Sequence, residues 1–230
     1  MNLLEKEALI REKAVELESA TPQEIIAWAV ETFPNITFAC SFGAEDIVLV
    51  DILQKVSPAT DIFYLDTDFH FKETYETRDK LMNRYDLQFV RVSPLISPAD
   101  QERQHGAELW KKDPNTCCNI RKVEPLTRVL SKYEAWITGI RRDQAPTRAN
   151  AKKIEYDLKF GLVKFNPIAD WTSEDVWNYI HSNGLVYNPL HDQNYPSIGC
   201  EHCTRPVMPG EDPRAGRWAE SEKTECGLHK

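Results

Sequence analysis

The 230-residue chain has no apolar run long enough to cross a bilayer: its best candidate, Ile47 to Leu53, is interrupted by Asp51 and stops far short of a spanning length. The first twenty residues mix Glu, Lys and Arg with apolar residues at helical spacing and lack the unbroken apolar stretch of a signal peptide. A cytoplasmic protein with no membrane partner is therefore expected. Positive charge is in deficit, since 28 Lys and Arg stand against 36 Asp and Glu, a net charge of −8 that would repel a phosphate backbone. A nucleic-acid partner is not expected. Internal repeats and low-complexity tracts are absent as well. An apolar fraction of 41% and a charged fraction of 28% argue against general disorder or a fibrous repeat, and the length suits one domain with one substantial core.

What is present is an alternation of periods. Leu3 to Phe33 reads as two amphipathic helices, the second opened by Thr21-Pro22-Gln23-Glu24, which supplies an N-cap, a proline at the first helical position and a nearby acid. Short β-prone runs follow at 36–40, 62–65, 87–92, 135–138 and 162–165, with helical patterns between several of them, notably 45–55, 72–85 and 123–133. Trp171 to Asp175 reads as the capped entry of a further helix running to about His181. This order predicts an α/β fold with a mostly parallel central sheet flanked by helices, and it directs attention to the loops after strands, where such sheets bind ligands. Within one domain, residues 1–34 form a helical cover and 35–203 the α/β core. Residues 204–230, broken by Pro206, Pro209, Gly210, Pro213 and Gly216, are expected to form a mobile arm.

Six cysteines in a chain read as cytoplasmic point to metal ligation or thiol chemistry rather than disulfides. Cys117-Cys118 and Cys200-Glu201-His202-Cys203 together offer four-sulfur coordination of either zinc or an iron–sulfur cluster, and directly adjacent cysteines tilt the balance toward a cluster. Arg121 and Lys122 follow the first pair and could offset a cluster's negative charge. The loop Ser41-Phe42-Gly43-Ala44 lies between the first strand and its helix, where small residues and a helix N-terminus suit a phosphate or sulfate, although an ordinary strand-to-helix turn would look the same. Thr138 to Arg148 follows another strand and carries Arg141, Arg142 and Arg148, whose planar forks suit the same anions. Near the end lie Arg214, Arg217 and Cys226-Gly227-Leu228-His229. A cysteine on an articulated tail suits a nucleophile that reacts and then leaves to meet a second protein, and His229 and Lys230 could lower its pKa. Cys40 is assigned to packing, and His105, His181, His191 and His202 to surface or core.

These residues resemble the assimilatory adenylyl-sulfate and phosphoadenylyl-sulfate reductases, within the PP-loop proteins of the adenine nucleotide α hydrolase type. The resemblance runs from Ser41-Phe42-Gly43-Ala44-Glu45 through Leu65-Asp66-Thr67-Asp68, Cys117 to Lys122, Thr138-Gly139 to Arg148, Pro189 to Asp192, Gly199 to Cys203 and Arg214-Ala215-Gly216-Arg217-Trp218, to Glu225-Cys226-Gly227-Leu228-His229. It implies that Cys226 is the nucleophile and that Cys117, Cys118, Cys200 and Cys203 hold a [4Fe–4S] cluster, the mark of the branch that prefers adenylyl sulfate. It further implies substrate contacts at Ser41, Phe42, Gly43, Lys122, Arg141, Arg142, Arg148, Arg214, Arg217 and His229. The activity so implied is reduction of adenylyl sulfate to sulfite and AMP through a cysteine S-sulfonate, in sulfate assimilation and cysteine biosynthesis. Thioredoxin or glutaredoxin would be the separate reductant, because the one Cys-x-x-Cys here is committed to the cluster. Use of phosphoadenylyl sulfate as well, and a homo-oligomer, stay open. The loop departs from the Ser-Gly-Gly-x-Asp-Ser pattern of PP-loop nucleotide hydrolases at Phe42 and Ala44, so cleavage of ATP is not expected. Two competing readings remain: a PP-loop sulfurtransferase acting on tRNA, which would need a basic surface, and a zinc-stabilised interaction module, which would be colourless and indifferent to Cys226.

Overall fold

The structure is a computed structural model that describes residues 3–221, 223 and 225–228, with side chains from residue 5 onward. The chain forms, in order, α1 (Leu3–Glu16), α2 (Pro22–Thr32), β1 (Ile36–Ala39), α3 (Ala44–Val56), β2 (Asp61–Leu65), α4 (Lys72–Tyr85), β3 (Val90–Val92), α5 (Pro98–His105), α6 (Leu109–Lys112), α7 (Pro114–Cys118), a π-turn (Asn119–Val123), α8 (Glu124–Leu130), β4 (Ala135–Ile137), β5 (Ile154–Asp157), β6 (Leu162–Phe165) and α9 (Ser173–Ser182). Hydrogen bonding orders the strands β3-β2-β1-β4-β6-β5. β1 pairs in parallel with β2 and β4, β4 pairs in parallel with β6, and β5 closes the edge antiparallel to β6.

The helix starts follow from local chemistry. Thr21 accepts from the Glu24 N–H while Glu24 accepts from the Thr21 N–H, and Thr172 and Asp175 repeat the arrangement at α9. Pro22, Pro98 and Pro114 stand at first-turn positions, where the missing N–H costs nothing.

The chain divides into two compact units. The first joins Met1–Phe63 to Leu130–Val186. Its centre is α3, in which every residue from Asp46 to Leu53 is buried, so that the helix is enclosed on all sides rather than amphipathic. β1, β4 and β6 contribute Phe38, Trp136, Ile137, Val163 and Phe165 to the same core. Trp28, Phe33 and Phe165 meet there with ring centroids about 6 Å apart, close to the spacing favoured by tilted aromatic pairs. The order of strands reverses direction at β1 and β4, which places the loops after these two strands at the switch point of the sheet.

The second unit joins Tyr64–Val129 to Tyr187–Lys230. Its short helices α5, α6 and α7 succeed one another tightly, and α7 runs into the π-turn with no break in helical backbone angles. Wide turns of this kind gather at functional sites because the extra residue re-aims the side chains around it.

Beyond Cys203, in the segment expected to form a mobile arm, the described residues make several tertiary hydrogen bonds. Helices and long strands are indeed missing among the described residues, yet the segment is folded back: Thr204 bridges to Arg217, the Arg205 N–H donates to Gly216 O, and Val207 N–H to Asn194 O. Arg205 and Glu211 form a two-pronged ion pair, and Trp218 is buried. Proline and glycine preclude regular elements without precluding packing, and these tertiary bonds are long-range and so invisible in local periodicity.

Candidate functional site

In the first unit the loop Ser41–Gly43 is built by its own helix. Ser41 donates both its N–H and its hydroxyl to Asp46 Oδ2, at 2.5 and 2.6 Å, and the Ser41 hydroxyl oxygen accepts from the Gly43 N–H at 3.4 Å. Phe42 between them is buried in the left-handed region at φ 63°, a conformation uncommon for a bulky side chain. Gly43 is the N-cap of α3 and gives no side-chain cap, so the first N–H groups of that helix face the loop. An anion is the natural complement of such a terminus.

The loop after β4 lies against the same helix. A Cβ on Gly139 would overlap Asp46 Oδ1, so this position requires glycine for close approach. Arg141, expected to face substrate, is buried and holds Glu45 Oε1 through Nε at 3.0 Å and Nη2 at 2.9 Å, with Asp143 and the Trp171 carbonyl as further partners. Arg142 is engaged by Glu18 at 2.6 Å and by the Ala151 carbonyl at 2.7 Å. Arg148 donates to Gln144 at 2.6 Å and draws the Asp46 carboxyl downward in pKa. The sequence reading found the arginines but not Asp46, which burial pushes up to about 7 against the hydrogen bonds from Ser41. An acid in the first turn of an apolar helix, following a Ser-x-Gly turn, was the available signal.

In the second unit Cys117, Cys118, Cys200 and Cys203 line one cavity together with Arg121, Lys122 and Arg217. α7 supplies the adjacent pair from its last turn, started by Asp113, which accepts from the Asn115 and Thr116 N–H groups. The other pair sits on a 3₁₀ turn, Glu201–Cys203, fixed by the Glu201 N–H donating to Phe69 O at 2.8 Å and a bridge between His70 and Cys200. Cys200 Sγ hydrogen-bonds to Thr67 Oγ1 at 3.4 Å. Gln101, missed in the sequence, accepts from Arg121 Nε at 2.7 Å and donates to Cys117 Sγ at 3.8 Å. An arginine can only donate, so its amide orientation follows from chemistry. His202, assigned to surface or core, stacks on Trp110 at 4.2 Å, with Phe69 edge-on to both rings.

The charges explain the grouping. Burial and the neighbouring sulfurs push Cys117 up to about 11 and Cys203 to about 12, and Cys118 is raised by burial. Burial pulls Lys122 down, but the sulfurs of Cys200, Cys226 and Cys118 outweigh it and hold the ammonium above its ordinary value. Arg121 Nη2 and Arg217 Nε are buried without a hydrogen-bond partner among the described residues. Buried guanidinium N–H groups without partners, in a cavity lined by four sulfurs, fit a bound group that is anionic overall and brings positive centres for the thiolates to ligate. No three His, Cys, Asp or Glu side chains among the described residues converge to hold a single metal ion.

The described part of the tail reaches these residues. Glu225 is buried and accepts from Arg214 at 3.2 Å, Lys223 donates to Asn115 at 2.6 Å, and Cys226 is half-buried within electrostatic reach of Lys122 and Cys118. His229 and Lys230 lie outside the described residues.

The chain matches the phosphoadenosine phosphosulfate reductase domain over residues 35–206. A protein of Halalkalibacterium halodurans named adenosine 5′-phosphosulfate reductase is 49% identical over 216 residues, 93% of this chain and 94% of its own length. One of the same name from Mycolicibacterium smegmatis is 50% identical over 216 residues, 94% of this chain and 91% of its own. Among solved structures, a phosphoadenylyl-sulfate reductase from Candida auris in complex with phosphate superposes with a TM-score of 0.72 at 32% identity, over 83% of this chain and 95% of that one. A Candida glabrata FMN adenylyltransferase, with a TM-score of 0.60 at 17% identity over 86% of this chain and 67% of its own, shares the fold alone. With three quarters of its length matched by the domain and half its residues shared with full-length relatives, the chain belongs to the phosphoadenosine phosphosulfate reductase family.

Proposed function

We propose that this protein reduces adenylyl sulfate to sulfite and AMP, with Cys226 as the nucleophile and a separate dithiol protein of the thioredoxin class as reductant. The observation that carries this reading is that Cys226, near the end of the chain, lies within electrostatic reach of Lys122 and Cys118, two residues of the cysteine-lined cavity, in a family whose relatives bear the name of that activity. The adenylyl phosphate is bound at the uncapped start of α3, with Arg148 adding charge. Arg141 and Arg142, already bonded to carboxylates and carbonyls, act by holding their loop.

The Cys226 thiolate attacks the sulfate sulfur, forming an S–S bond as the sulfur–oxygen bond to the phosphate breaks and AMP departs with the electron pair. Lys122, Arg214 and Arg217 screen the approach of thiolate to sulfate, and His229 is assigned to the same task. A thiolate of the dithiol protein then attacks Cys226 Sγ and releases sulfite; its second thiol resolves the mixed disulfide, so the dithiol supplies both electrons and Cys226 is restored. Cys117, Cys118, Cys200 and Cys203 would hold a [4Fe–4S] cluster, which spreads its ligands over a larger body than a single ion does and supplies fixed charge and rigidity to the site when bound. Arg121 and Arg217 balance that charge, and Gln101 and Thr67 orient the sulfurs. The location proposed for the protein is the cytoplasm, where thiols stay reduced; no described helix is long and apolar enough to cross a membrane.

Two measurements test this reading together. Anaerobically purified protein is expected to contain about four iron and four sulfide per chain, and Cys226→Ser is expected to retain both while releasing no sulfite from adenylyl sulfate. Sulfite release by the serine variant at the parent rate would rule the mechanism out.

A further inference from the structure

Asp46 is an unusual residue to place in the most enclosed helix of the first unit. It is 6% exposed, and an ionised carboxylate so buried is expensive unless it is well bonded. Both Ser41 bonds go to Oδ2, while Oδ1 faces Gly139 at a separation that no side chain could enter. The carboxylate thus touches the loop after β1 on one side and the loop after β4 on the other.

This contact holds the Ser41 side chain in place. Its hydroxyl donates to Asp46 and accepts from the Gly43 N–H, so one carboxylate fixes the residues on both flanks of Phe42. Phe42 sits at φ 63°, a conformation that costs a bulky residue about 1–2 kcal/mol and persists only where its surroundings over-determine it. Free of the clamp, Phe42 would relax toward extended backbone, and the approach to α3 would change shape.

We propose that Asp46 is the positioning residue of the anion-binding loop: its carboxylate clamps Ser41, seats the β4-end loop at Gly139, and so presents the uncapped start of α3 to the phosphate of the substrate. The inference rests on the reading that this loop binds the adenylyl group. Ionisation of Asp46 is what makes the clamp. The proton of a neutral carboxyl competes with the two Ser41 donors at Oδ2 or sits at Oδ1 in the tight space beside Gly139. The other charged and titratable groups facing it are Glu45 on its own helix and Arg148 from the β4-end loop, which act in opposite directions, and Cys40 at the end of β1, whose thiol burial and Asp46 both push up.

The test uses adenylyl sulfate, whose own acidic groups stay ionised near neutrality, and the cluster-loaded Cys226→Ser protein, which binds without turning over. Affinity is expected to fall as pH drops through about 7. Asp46→Asn on this background is expected to bind about tenfold more weakly and with no dependence on pH in this range. Ser41→Ala should weaken binding similarly and move the pH midpoint upward, because the bonds from Ser41 are what lower it. The double variant should bind no worse than the weaker single one, since both remove the same clamp. Full affinity and an unchanged pH profile in Asp46→Asn would overturn the assignment, as would additive losses in the double variant. If Asp46→Asn does not fold, an unmoved midpoint in Ser41→Ala overturns it instead. Failure of the Cys226→Ser parent to bind adenylyl sulfate at any pH would strike the proposed function itself and remove the basis of the inference with it.

Discussion

Gly199 precedes Cys200 and lies under the side chain of Arg217, whose guanidinium a Cβ at this position would overlap. The guanidinium has little room to yield: Nη1 donates to Ser197 Oγ at 3.1 Å and to the Ile198 carbonyl at 3.2 Å, and its plane lies over Trp218 with 4.6 Å to the ring centroid. One missing methyl therefore places a cation beside the sulfurs. Gly199→Ala should displace Arg217 and break at least one of those bonds. Steady-state kinetics are expected to show KM for adenylyl sulfate raised about tenfold, with the absorbance of the proposed cluster unchanged. An unchanged KM would mean that Arg217 acts only in packing. The same logic explains why Arg217 could be named from the sequence but its surroundings could not. A cationic residue near a cysteine is visible in the chain, whereas the space it needs belongs to a residue 18 positions away.

At the scale of elements, the tail after Cys203 shows how a segment without regular structure is held. Arg214 pairs with Glu225, the residue before Cys226, at 16% and 6% side-chain exposure, so their attraction is weakly screened. Glu225→Gln keeps the volume and a hydrogen-bonding oxygen but removes the charge. Opening of the tail should become easier by about 1 kcal/mol, and alkylation of Cys226 by iodoacetamide about fivefold faster, as read by mass spectrometry. Equal rates in the two proteins would show that other contacts dock this segment. Regular elements were far more legible in the sequence. Capping residues at Thr21 and Thr172 and the enclosed run of α3 carry strong local signals; β1, β3, β4 and β6 lie within the runs that β-propensity marks out, and β2 begins one residue before its run. β5 was missed because Glu155 and Asp157 make half of its four residues acidic. It forms through its partner, with Glu155 bonded to Lys164 at 3.1 Å across the pair and Gly161 turning the chain at φ 72°. α5, α6 and the π-turn were also missed, and with them Gln101 and Trp110, since helices of four to eight residues give too few periods to read.

For the molecule as a whole, the buried carboxyl of Asp46 sets a conflict between stability and function that can be measured. Its pKa is about 7 in the folded chain against 3.8 for the ordinary group. A group whose folded pKa is raised contributes stability that is fully present below the unfolded value and is lost as pH rises through the folded one. The stability that neutral Asp46 gives is therefore complete near pH 4 and has gone by about pH 8, a change on the order of 4 kcal/mol. Other groups titrate in the opposite sense; Asp66, buried but bonded to Tyr75 and Arg91, is held below its usual range. The pH profile of the wild-type protein alone would mix the two, and a difference between proteins separates them. Urea denaturation of wild type and Asp46→Asn should give stabilities that diverge as pH rises from 5 to 8, with the Asn variant gaining on the wild type across that interval. At the upper end the variant is expected to be the more stable protein and the weaker binder. A constant difference across the interval would mean that Asp46 does not change ionisation there, and the cost of keeping a carboxylate inside α3 would have to lie elsewhere.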